Sequence, residues 1–565
     1  MRSFWMLLGS LALVARAQKP IGCPILGPAY PAPTGLSQDP VFLSKAEELT
    51  AQLNEAIENG TLPFISAAAQ IFSGDEDDAA YGFYLTDEIV KTGSVGVREV
   101  DENTIFRIGS VSKLWTMFLY MTLNGTRYFH EPVANYVPEL RVKYNATQAV
   151  NDIDHVSWSE VTIGELASHQ AGIARDYAFG DLGFQSSHLE TMGFPPLFNG
   201  EELACGNTIQ CDRKEFFKGF LNMHPLTLTS HTPIYSNAGY QILGYALEAI
   251  ADTGYEELLL RRLIEPLNLT RSYLNAPDAS LAVVPYNETY SWFSYDIGEE
   301  APAGGIFSSA KDMSTFGRAI LSNALIDPAT TRRWLKPLSH TSSLQNSVGA
   351  PWEIYSYLLP RRVDLYTKAG DIGLYSSSFA LSPDHNAGFT VLVAGPNSHQ
   401  LTATIAEMTA DILLPALDEI AKNQALERFG GTYALESAYS NVNSSITITA
   451  DEGPGLVVSE WINDSVDMIG SIMALQGVAD RSALTIRLQP SGLQAEGRMS
   501  FSAVIYALPI PKDAGPMLGS CFSWILLESM VYGSVGLHEF EFGLDAHGGA
   551  TSLSPRALRV RLPRV

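Results

Sequence analysis

Two residues in an apolar segment have the types and spacing of a nucleophile and its proton partner. In "FRIGSVSKLWTMFLYM", residues 106–121, Ser110 is followed three residues later by Lys113. If Ser110 begins a helix, Lys113 lies one turn away on the same face, and the helix N-terminus adds positive potential at the hydroxyl. A serine hydroxyl is a weak nucleophile, so it needs a base within reach and donors for the developing oxyanion. The pair therefore suits acyl transfer through a covalent serine intermediate.

The same spacing occurs a second time, in "SSAKDM", where Ser308 precedes Lys311 by three residues. At most one of the two pairs can hold the nucleophile, and a lone Ser-x-x-Lys is more often surface helix chemistry. The spacing alone therefore does not choose between them, and the choice depends on which partner residues accompany each pair.

A second polar group is Tyr235-Ser236-Asn237 in "TPIYSNAGYQILGYALEAI". A tyrosine phenol beside a lysine can act as a base with a lowered pKa, and an asparagine amide two residues on can bind the acyl side chain of a substrate. Two other Tyr-x-Asn triplets, at 273–275 and 439–441, fit the same pattern. Only Tyr235 is followed directly by an apolar helical pattern rich in small residues.

A third group is Lys368-Ala369-Gly370 in "DLYTKAGDIGLYSSSFALSP". A lysine on an edge strand offers charge to an anionic group, and the glycine after it lets backbone N–H groups approach a reacting carbonyl. A literal Lys-Thr-Gly-Ser occurs at residues 91–94, but it falls where a hairpin turn between two early strands is expected.

The order of these groups decides between the two serines. Ser110, Tyr235 and Lys368 follow one another with more than 100 residues between members, and each has the local structure that its role needs: helix start, loop before a helix, and strand. The arrangement resembles that of the serine β-lactamases and penicillin-binding proteins. The tyrosine makes it similar to class C β-lactamases and their esterase and D-aminopeptidase relatives. The resemblance extends over roughly residues 40–420 and is carried further by "VTIGELASHQAGI" and "APAGGIFSSAKDM".

The resemblance implies a catalytic role for four positions. Ser110 would be acylated, and Lys113 and Tyr235 would move its proton, with the identity of the base left open. The backbone N–H groups of Ser110 and Asp371 would form the oxyanion hole. His169 in "SHQAG" could suggest a catalytic triad, but the chain has no Gly-x-Ser-x-Gly elbow, so a histidine bonded to the backbone is the favoured interpretation.

The resemblance also implies substrate-binding positions and shows where this chain departs from the family. Asn237 would contact the acyl group, Lys368 would orient the substrate, and Gly370 would allow the close approach. Ala369 replaces the family's threonine, which removes a hydroxyl that helps to hold a β-lactam carboxylate. Asp371 places a carboxylate where a small residue is usual. Both departures argue against true β-lactamase activity and favour a neutral ester or amide.

The expected function is therefore that of a serine hydrolase acting on a small-molecule ester or amide through an acyl-enzyme. An acyltransferase of secondary metabolism would use the same Ser110 chemistry, and a catalytically silent binding protein would keep the fold alone. The chain has no His-Glu-x-x-His, P-loop or Rossmann fingerprint, so no metal or other cofactor is expected.

The elements needed to position these residues can be read from the apolar spacing. Residues 40–58, 110–123, 161–170, 237–251, 310–322 and 401–420 have helical patterns, whereas short alternating runs within 64–108 and 363–395 indicate strands. Early strands, a helical middle and late strands predict an α/β sandwich, with one antiparallel sheet flanked by helices and an all-helical subregion. Residues 425–565 alternate with period two and predict a β-rich sandwich or barrel. The expected organisation is a catalytic domain over 40–424 and a C-terminal domain over 425–565, preceded by a Pro/Gly-rich arm over 18–39.

Composition points to a secreted protein with no polyanionic partner. The 565-residue chain has a net charge of −25, which disfavours nucleic acid. Residues 1–17 have the order of a signal peptide cleaved after Ala17, and no later segment is long and apolar enough to span a membrane. Seven Asn-x-Ser/Thr sequons are N-glycosylation candidates: Asn59, Asn124, Asn145, Asn268, Asn287, Asn443 and Asn463.

Four cysteines, an even number, suggest two disulfides in an oxidising compartment. The short spacing favours Cys205–Cys211, which leaves Cys23–Cys521. Three pairings are possible, and the sequence does not choose among them.

Overall fold

The computed structural model divides into two compact units, one over residues 32–356 and 364–420, the other containing residues 357–363, the C-terminal region from 421 and the N-terminal segment up to Pro31. The expected signal peptide lies outside the described residues. The structure describes residues 23–123, 125–141, 151–198, 201, 203, 205–206, 210–436, 443–507 and 516–565.

One antiparallel sheet forms the centre of the first unit, and its order within the described residues is β2-β1-β10-β9-β8-β7-β6-β5. The early strands thus lie beside the late ones, as the sequence pattern predicts. β1 and β10 are buried along their whole length, which fits a sheet covered on both faces. The strands are β1 Ser66–Ser73, β2 Tyr81–Leu85, β3 Ile105–Arg107, β4 Phe307–Ser309, β5 Ser339–His340, β6 Asn346–Val348, β7 Glu353–Leu358, β8 Arg362–Ile372, β9 Tyr375–Ser382 and β10 Ala387–Ala394.

Helices cover this sheet and form the expected helical subregion, and α11 packs against β1 and β10. The helices are α1 Pro40–Glu58, α2 Glu88–Lys91, α3 Ser112–Thr122, α4 Ile163–Ala167, α5 Ser186–Glu190, α6 Arg213–Phe220, α7 Asn237–Ala251, α8 Tyr255–Leu259, α9 Glu288–Ser291, α10 Ala301–Gly304, α11 Ala310–Leu321, α12 Pro328–Trp334 and α13 Ser398–Phe429.

Helix α3 is the most deeply buried of the elements around the predicted nucleophile. Its residues from Ser112 to Met121 are all buried, and it packs against α7 and α10. Trp115 stacks on Phe316 of α11 with ring centroids 4.5 Å apart. A helix that is apolar all round belongs in a core, so this packing fixes the position of the residues at its N-terminus.

Three sequence expectations differ from the structure in detail. The pattern over 161–170 yields only the five-residue α4, because His169 adopts a left-handed backbone with φ 59° that a continuing helix does not allow. The pattern over 401–420 continues to both sides as α13. Residues 91–94 do not form a hairpin turn, since Lys91 ends helix α2 and Thr92 caps it.

The C-terminal region is β-rich and forms a sheet of its own, as the alternation predicts. An antiparallel bridge joins Tyr433 of its first strand to Arg564, directly after its last strand, so the two ends of the strand order meet. Its order is β11-β12-β13-β15-β16-β19-β20-β21, with β14 beside β13. These elements are β11 Gly431–Glu436, β12 Asn443–Thr449, β13 Leu456–Asn463, β14 Val466–Asp467, α14 Met468–Gln476, β15 Leu484–Ala495, β16 Arg498–Ala507, α15 Pro516–Gly519, α16 Ser523–Leu526, β17 Val531–Tyr532, β18 Val535–Gly536, β19 Glu539–Leu544, β20 Ala550–Pro555 and β21 Leu562–Pro563.

Residues 23–31 of the N-terminal arm belong to this C-terminal unit. Ala29 and Tyr30 lie in its buried core, and the Tyr30 hydroxyl donates to the carbonyl of Gly453 at 3.0 Å. These two residues of the arm are therefore part of the core, whereas the sequence suggested an extended segment over the surface. A Pro/Gly-rich segment has no periodic apolar pattern, so the sequence does not indicate that Ala29 and Tyr30 are buried.

All four cysteines are paired, as Cys23–Cys521 and Cys205–Cys211. No helix within the described ranges combines the length and the apolar composition needed to cross a bilayer. The candidate glycosylation sites Asn124 and Asn145 lie outside the described residues. Asn463 is only half-buried in β13, and the remaining four candidates are exposed: Asn59, Asn268, Asn287 and Asn443.

Candidate active site

Ser110 lies in a tight turn between a strand and a buried helix. Strand β3 ends at Arg107, a 3-10 turn covers Gly109–Val111, and α3 begins at Ser112. Gly109 has φ 48°, and a Cβ at this position would lie 2.6 Å from the backbone nitrogen of Asp371. Only glycine fits this turn, and the turn places Ser110 and Lys113 on one side of the helix start.

The side chains of Ser110, Lys113 and Tyr235 meet. Ser110 Oγ accepts a hydrogen bond from Lys113 Nζ at 3.0 Å and another from the Tyr235 hydroxyl at 2.6 Å. Lys113 is fully buried, and its Nζ also donates to Asn237 Oδ1 at 2.7 Å and to the carbonyl of Ala303 at 2.6 Å. Two sequence-distant predicted groups thus converge on one hydroxyl.

The local fold explains why Tyr235 and Asn237 face Ser110. Ser236 is the N-cap of α7, where its Oγ accepts from the backbone N–H of Gly239 at 2.9 Å and donates to the carbonyl of Ala174 at 2.7 Å. The cap fixes the chain direction at the helix start. Its two neighbours are therefore held on either side of the capping residue, at the entrance to the helix.

Burial and charge shift the proton affinities of this group. Burial lowers the pKa of Lys113, an effect that the nearby Lys368 adds to and Tyr235 opposes. Burial alone would raise the pKa of Tyr235, but the ammonium groups of Lys113 and Lys368 lower it below its ordinary value. Both ammonium groups lie near the Tyr235 ring, 4.9 and 5.2 Å from its centroid. The cluster is thus arranged for proton exchange.

Asn237 connects Lys113 to a pair of carboxyl groups. Its Nδ2 donates to Asp176 Oδ1 at 2.8 Å, and Asp176 hydrogen-bonds with Glu300. Burial and the Asp176 carboxylate raise the pKa of Glu300 to about 8. Neither carboxyl group was identified from the sequence. Asp176 lies in residues 175–230, a segment rich in Gly, Phe and His whose composition predicts an insertion, and Glu300 lies next to the "APAGG" stretch. Both are ordinary acidic residues in loops, with no motif around them.

Lys368 is buried and already has a carboxylate partner. Its side chain is 2% exposed, and its Nζ lies 2.5 Å from Glu353 Oε1 and 2.7 Å from the carbonyl of Ala369. Burial opposes the charged form, but Glu353 raises the pKa of Lys368 above its ordinary value. Glu353, which also accepts from the backbone N–H of Ala369, was not found from the sequence.

The glycine after this lysine allows the strand to approach the nucleophile. A Cβ on Gly370 would lie 2.2 Å from the carbonyl oxygen of Ile108 and 2.7 Å from the backbone nitrogen of Ser110. No other residue fits in that space. Strand β8 therefore brings its Gly370–Asp371 segment directly beside the backbone of the Gly109–Ser110 turn.

Asp371 directs its carboxylate toward a histidine at the rim. Both carboxylate oxygens lie 3.0 Å from His399 Nδ1, and the two side chains are 47% and 75% exposed. The sequence left open whether this carboxylate faces the cleft. The structure places Asp371 in the lining of the cavity beside Ser110, where it is bound by a partner from α13.

His169 supports the tyrosine and has no contact with Ser110. Its Nδ1 accepts the backbone N–H of Ser236 at 3.2 Å, and its ring lies 4.5 Å from that of Tyr235. Burial lowers the pKa of His169 well below its ordinary value, so the ring is neutral. The sequence expectation of a histidine bonded to the backbone is confirmed.

A cavity of about 290 Å³ opens beside Ser110. Asn237, Glu300 and Asp371 form its polar side. The residues that the structure places around it thus include the predicted nucleophile, a predicted substrate contact and one predicted oxyanion-hole residue. Phe179, from the predicted insertion, also lines it.

Comparison with known proteins places this arrangement in a family. A family model described as "Beta-lactamase" matches residues 68–413, more than half of the chain. The chain belongs to the β-lactamase family. A second model, described as "Beta-lactamase-like-like, C-terminal domain", matches residues 421–565. The fold is accordingly the mixed helix and antiparallel-sheet fold of the serine β-lactamases and penicillin-binding proteins, followed by a β-rich C-terminal region.

Individual members of the family are similar over most of the chain. A "Beta-lactamase-like protein" of Arthroderma benhamiae is 26% identical, and the match covers 96% of each chain. A "Probable hydrolase" of Phoma sp. is 25% identical, over 79% of this chain and 73% of its own. Among solved structures, "A class C beta-lactamase" is 17% identical with a TM-score of 0.45, over 66% of this chain and 96% of its own.

Proposed function

We propose that this protein is a secreted serine hydrolase that cleaves an ester or amide through an acyl-enzyme on Ser110. The observation that carries the proposal is the contact of Ser110 Oγ with both Lys113 Nζ and the Tyr235 hydroxyl. A nucleophile within hydrogen-bond distance of its base, with that base oriented by a further group, is the general signature of covalent catalysis. Membership of the family, and the relative described as a probable hydrolase, support the same reaction class.

The reaction proceeds in two balanced steps. Ser110 Oγ adds to the substrate carbonyl and gives its proton to the base, after which the bond to the leaving alkoxide or amine breaks and that group takes up a proton. The products are an acyl ester on Ser110 and a free alcohol or amine. Water then adds to the acyl carbonyl, the bond to Oγ breaks, and the free acid leaves as Ser110 regains its proton.

Tyr235 is the better base of the two candidates once it has released its own proton, which its hydroxyl donates to Ser110 Oγ in the resting site. Lys113 Nζ donates to Ser110, Asn237 and Ala303, and three acceptors match the three protons of an ammonium group. This charged neighbour stabilises a tyrosinate. Because burial also lowers the pKa of Lys113, the lysine can pass a proton to the leaving group after Tyr235 has taken one from Ser110.

The backbone N–H groups of Ser110 and Asp371 stabilise the tetrahedral oxyanion in this proposal. Gly109 and Gly370 let the two segments approach to contact distance, and Ser110 lies two residues before the start of α3. Donors that are fixed before the reaction stabilise developing charge without a cost for reorganisation. Two rigid backbone segments meet this requirement.

An anionic substrate is disfavoured at this site. The Lys368 ammonium is neutralised by Glu353, and Asp371 adds a carboxylate to the cavity lining. A β-lactam carboxylate would therefore find no unpaired cation among these residues. The neutral ester or amide expected from Ala369 and Asp371 agrees with this electrostatic arrangement.

Secretion is part of the proposal. Both disulfides are typical of proteins that fold in an oxidising compartment, and residues 1–17 have the order of a cleaved signal peptide.

The test is the intact mass of the secreted, deglycosylated protein after exposure to p-nitrophenyl acetate. We expect one acetyl adduct on Ser110 in the natural protein and none in Ser110→Ala. Ser308→Ala is the matched control, since it removes a serine of identical spacing, and it should be acetylated normally. The mass of the unreacted protein also tests cleavage after Ala17.

The fate of the adduct separates the alternatives. If it decays in water at a rate unaffected by added alcohol or amine, the protein is a hydrolase, whereas decay accelerated by these acceptors with formation of the transfer product identifies an acyltransferase. An adduct missing from the natural protein, or equally present in Ser110→Ala, would overturn the proposal and favour a binding protein.

A further inference from the structure

The cavity beside Ser110 is lined by aromatic side chains as well as by carboxyl groups. The aromatic side chains are Phe179 and Trp292, with their rings edge to face and the centroids 6.3 Å apart. Ile297 and Ile372 extend the apolar surface. A concave site with a mostly apolar lining and a few convergent polar groups is the usual form of a small-molecule pocket. The polar groups here include the predicted nucleophile Ser110 and the predicted substrate contact Asn237.

The size of the cavity limits what it can hold. Its volume is about 290 Å³, whereas an apolar cavity of about 150 Å³ holds one benzene molecule. A phenyl ring that is joined through a short chain to the acyl carbonyl on Ser110 Oγ therefore fits. The carboxyl groups do not oppose such a ligand, because the raised pKa of Glu300 keeps that side chain neutral at pH 7 and Asp371 is bound to His399.

Contacts with Arg107 and Tyr295 hold Trp292 in place. Its φ of 65° is a left-handed conformation that a bulky residue rarely adopts. The buried Arg107 stabilises it through Nη1, which donates to the carbonyls of Trp292 at 2.5 Å and Tyr295 at 2.7 Å. The Trp292 ring also stacks on Tyr295, with centroids 4.7 Å apart. This wall of the cavity is therefore fixed before any ligand arrives.

The residues beside the Cys205–Cys211 disulfide contact the residues that hold Phe179 and Trp292 in place. Gly206, beside the first cysteine, lies against Ala178, so that a Cβ on the glycine would be 2.4 Å from the alanine Cβ. Ala178 immediately precedes Phe179. Gln210, beside the second cysteine, donates to the Tyr295 hydroxyl at 2.9 Å. The residues next to the two half-cystines thus touch the turn that carries Phe179 and the ring that supports Trp292.

We propose that this site selects esters or amides whose acyl group is apolar and of about the size of a phenylalkyl group, bound against the edge-to-face pair of Phe179 and Trp292. The Cys205–Cys211 disulfide supports this aromatic pair through the residues beside its two cysteines. The inference rests on the proposed function and names its substrate class.

The test compares p-nitrophenyl esters that have the same leaving group and different acyl groups. We expect kcat/KM for the phenylacetyl ester to exceed that for the acetyl ester by about tenfold or more in the natural protein. Phe179→Ala and Trp292→Ala should each lower kcat/KM for the phenylacetyl ester by about 5- to 20-fold. In both variants kcat/KM for the acetyl ester should stay within about threefold of the natural value, because an acetyl group does not reach the aromatic side chains.

Matched variants separate a specific wall from a general effect. Phe194→Ala removes a half-exposed phenylalanine of the same insertion that is not among the cavity residues, and it should leave both esters unchanged. Phe179→Leu and Trp292→Phe keep an apolar wall and should retain most of the preference. Cys205→Ser with Cys211→Ser should reduce the phenylacetyl preference while the acetyl ester is still cleaved.

Two kinds of failure are distinguishable. If the acetyl ester is cleaved through Ser110 but the phenylacetyl ester is no better a substrate, or if the alanine variants lower both esters equally, the acyl selectivity is overturned and the proposed hydrolase stands. If no ester acylates Ser110, the proposed function itself fails.

Discussion

The two Ser-x-x-Lys pairs of this chain have the same spacing and opposite environments. Lys113 is buried with no carboxylate among its hydrogen-bond partners at Nζ, whereas Lys311 is half-exposed and binds Glu102 at 2.7 Å. The pKa of Lys113 is lowered by burial, and that of Lys311 is raised by its bond to Glu102. Lys113 therefore gives up its proton more readily than an ordinary lysine, whereas Lys311 holds its proton more firmly.

The difference originates in the secondary structure between each serine and its lysine. Ser110 lies in a turn that continues directly into α3, so both side chains lie on one side of the same helical start. Ser308 lies on strand β4, and the helix begins only after Ser309, whose side chain caps it. Ser308 consequently faces the core and bonds Ser272 at 2.9 Å. A spacing of three brings two residues together only where the backbone between them is helical.

The largest expected contrast is between the two serines. Ser110→Ala should lower kcat/KM for an activated ester by about 10,000-fold or more, because the covalent step is lost. Ser308→Ala should leave kcat/KM within about threefold, since a structural serine is removed far from the chemistry. Steady-state kinetics on both variants measure the contrast, with circular dichroism to verify folding. Equal losses of kcat/KM in the two variants would contradict the assignment of Ser110, and not Ser308, as the nucleophile.

The two lysines give the next contrast. Lys113→Met keeps the volume of a buried side chain but removes the proton donor, and should slow acylation by about 100- to 10,000-fold. Lys311→Met breaks a surface ion pair and should change stability by no more than about 1 kcal/mol without altering the acylation rate. Stopped-flow release of p-nitrophenol reports acylation directly. A Lys113→Met variant that acylates at the natural rate would exclude the lysine from proton transfer.

The same contrast shows what the sequence could predict and why. The helices over 40–58 and 237–251 were predictable to the residue because their apolar faces repeat with helical spacing and their ends have clear caps. Ser110, Lys113 and Tyr235 could be predicted because three groups with distinct local structures appear in the expected order. Neither inference required knowledge of a long-range contact.

The partners of the site could not be predicted, because they depend on side chains brought together by the fold. Glu353 neutralises Lys368 from a neighbouring strand, and Asp176 meets Glu300 from a separate loop. None of these three acidic residues lies in a motif, and 61 aspartates and glutamates are present in the chain. The Tyr30 contact with the C-terminal core was missed for the same reason, since a Pro/Gly-rich segment gives no periodicity.

Tyr235 provides a third test, through the pH dependence of acylation. The base must be deprotonated, so kcat/KM should fall as pH is lowered through its pKa. Because the charges of Lys113 and Lys368 lower the pKa of Tyr235, this fall should have its midpoint below the ordinary tyrosine value of about 10. Tyr235→Phe should lower kcat/KM by about 100-fold and displace the midpoint.

Lys311→Met is the control for this profile, because a distant surface charge should leave the midpoint in place. The measurement is kcat/KM for an uncharged ester between pH 5 and pH 10, with each variant checked for folding at both limits. A Tyr235→Phe profile that superimposes on the natural one would assign the base to Lys113 instead.

Two glutamates near the two lysines give the smallest expected effect, on stability. Folding raises the pKa of Glu300 from 4.5 to about 8, through burial and Asp176, against the opposing charges of Lys113 and Arg175. The folded state therefore retains a proton that the unfolded chain releases, and the free energy of unfolding should fall as pH rises from about 4.5 to about 8. Glu300→Gln, which can still donate to Asp176, removes this dependence. Compared with the natural protein, Glu300→Gln should gain on the order of 1–3 kcal/mol more in the free energy of unfolding at pH 8 than at pH 5.

Glu102→Gln is the matched change at the other pair, where the carboxylate is half-exposed beside Lys311. Its effect on unfolding should differ between pH 5 and pH 8 by no more than about 0.5 kcal/mol, because a solvated ion pair contributes little. Urea unfolding at the two pH values measures both variants against the natural protein. If Glu300→Gln and Glu102→Gln behaved alike, Glu300 would have to ionise in the folded protein as freely as a surface carboxylate, and the neutral character assigned to the cavity beside Ser110 would be wrong.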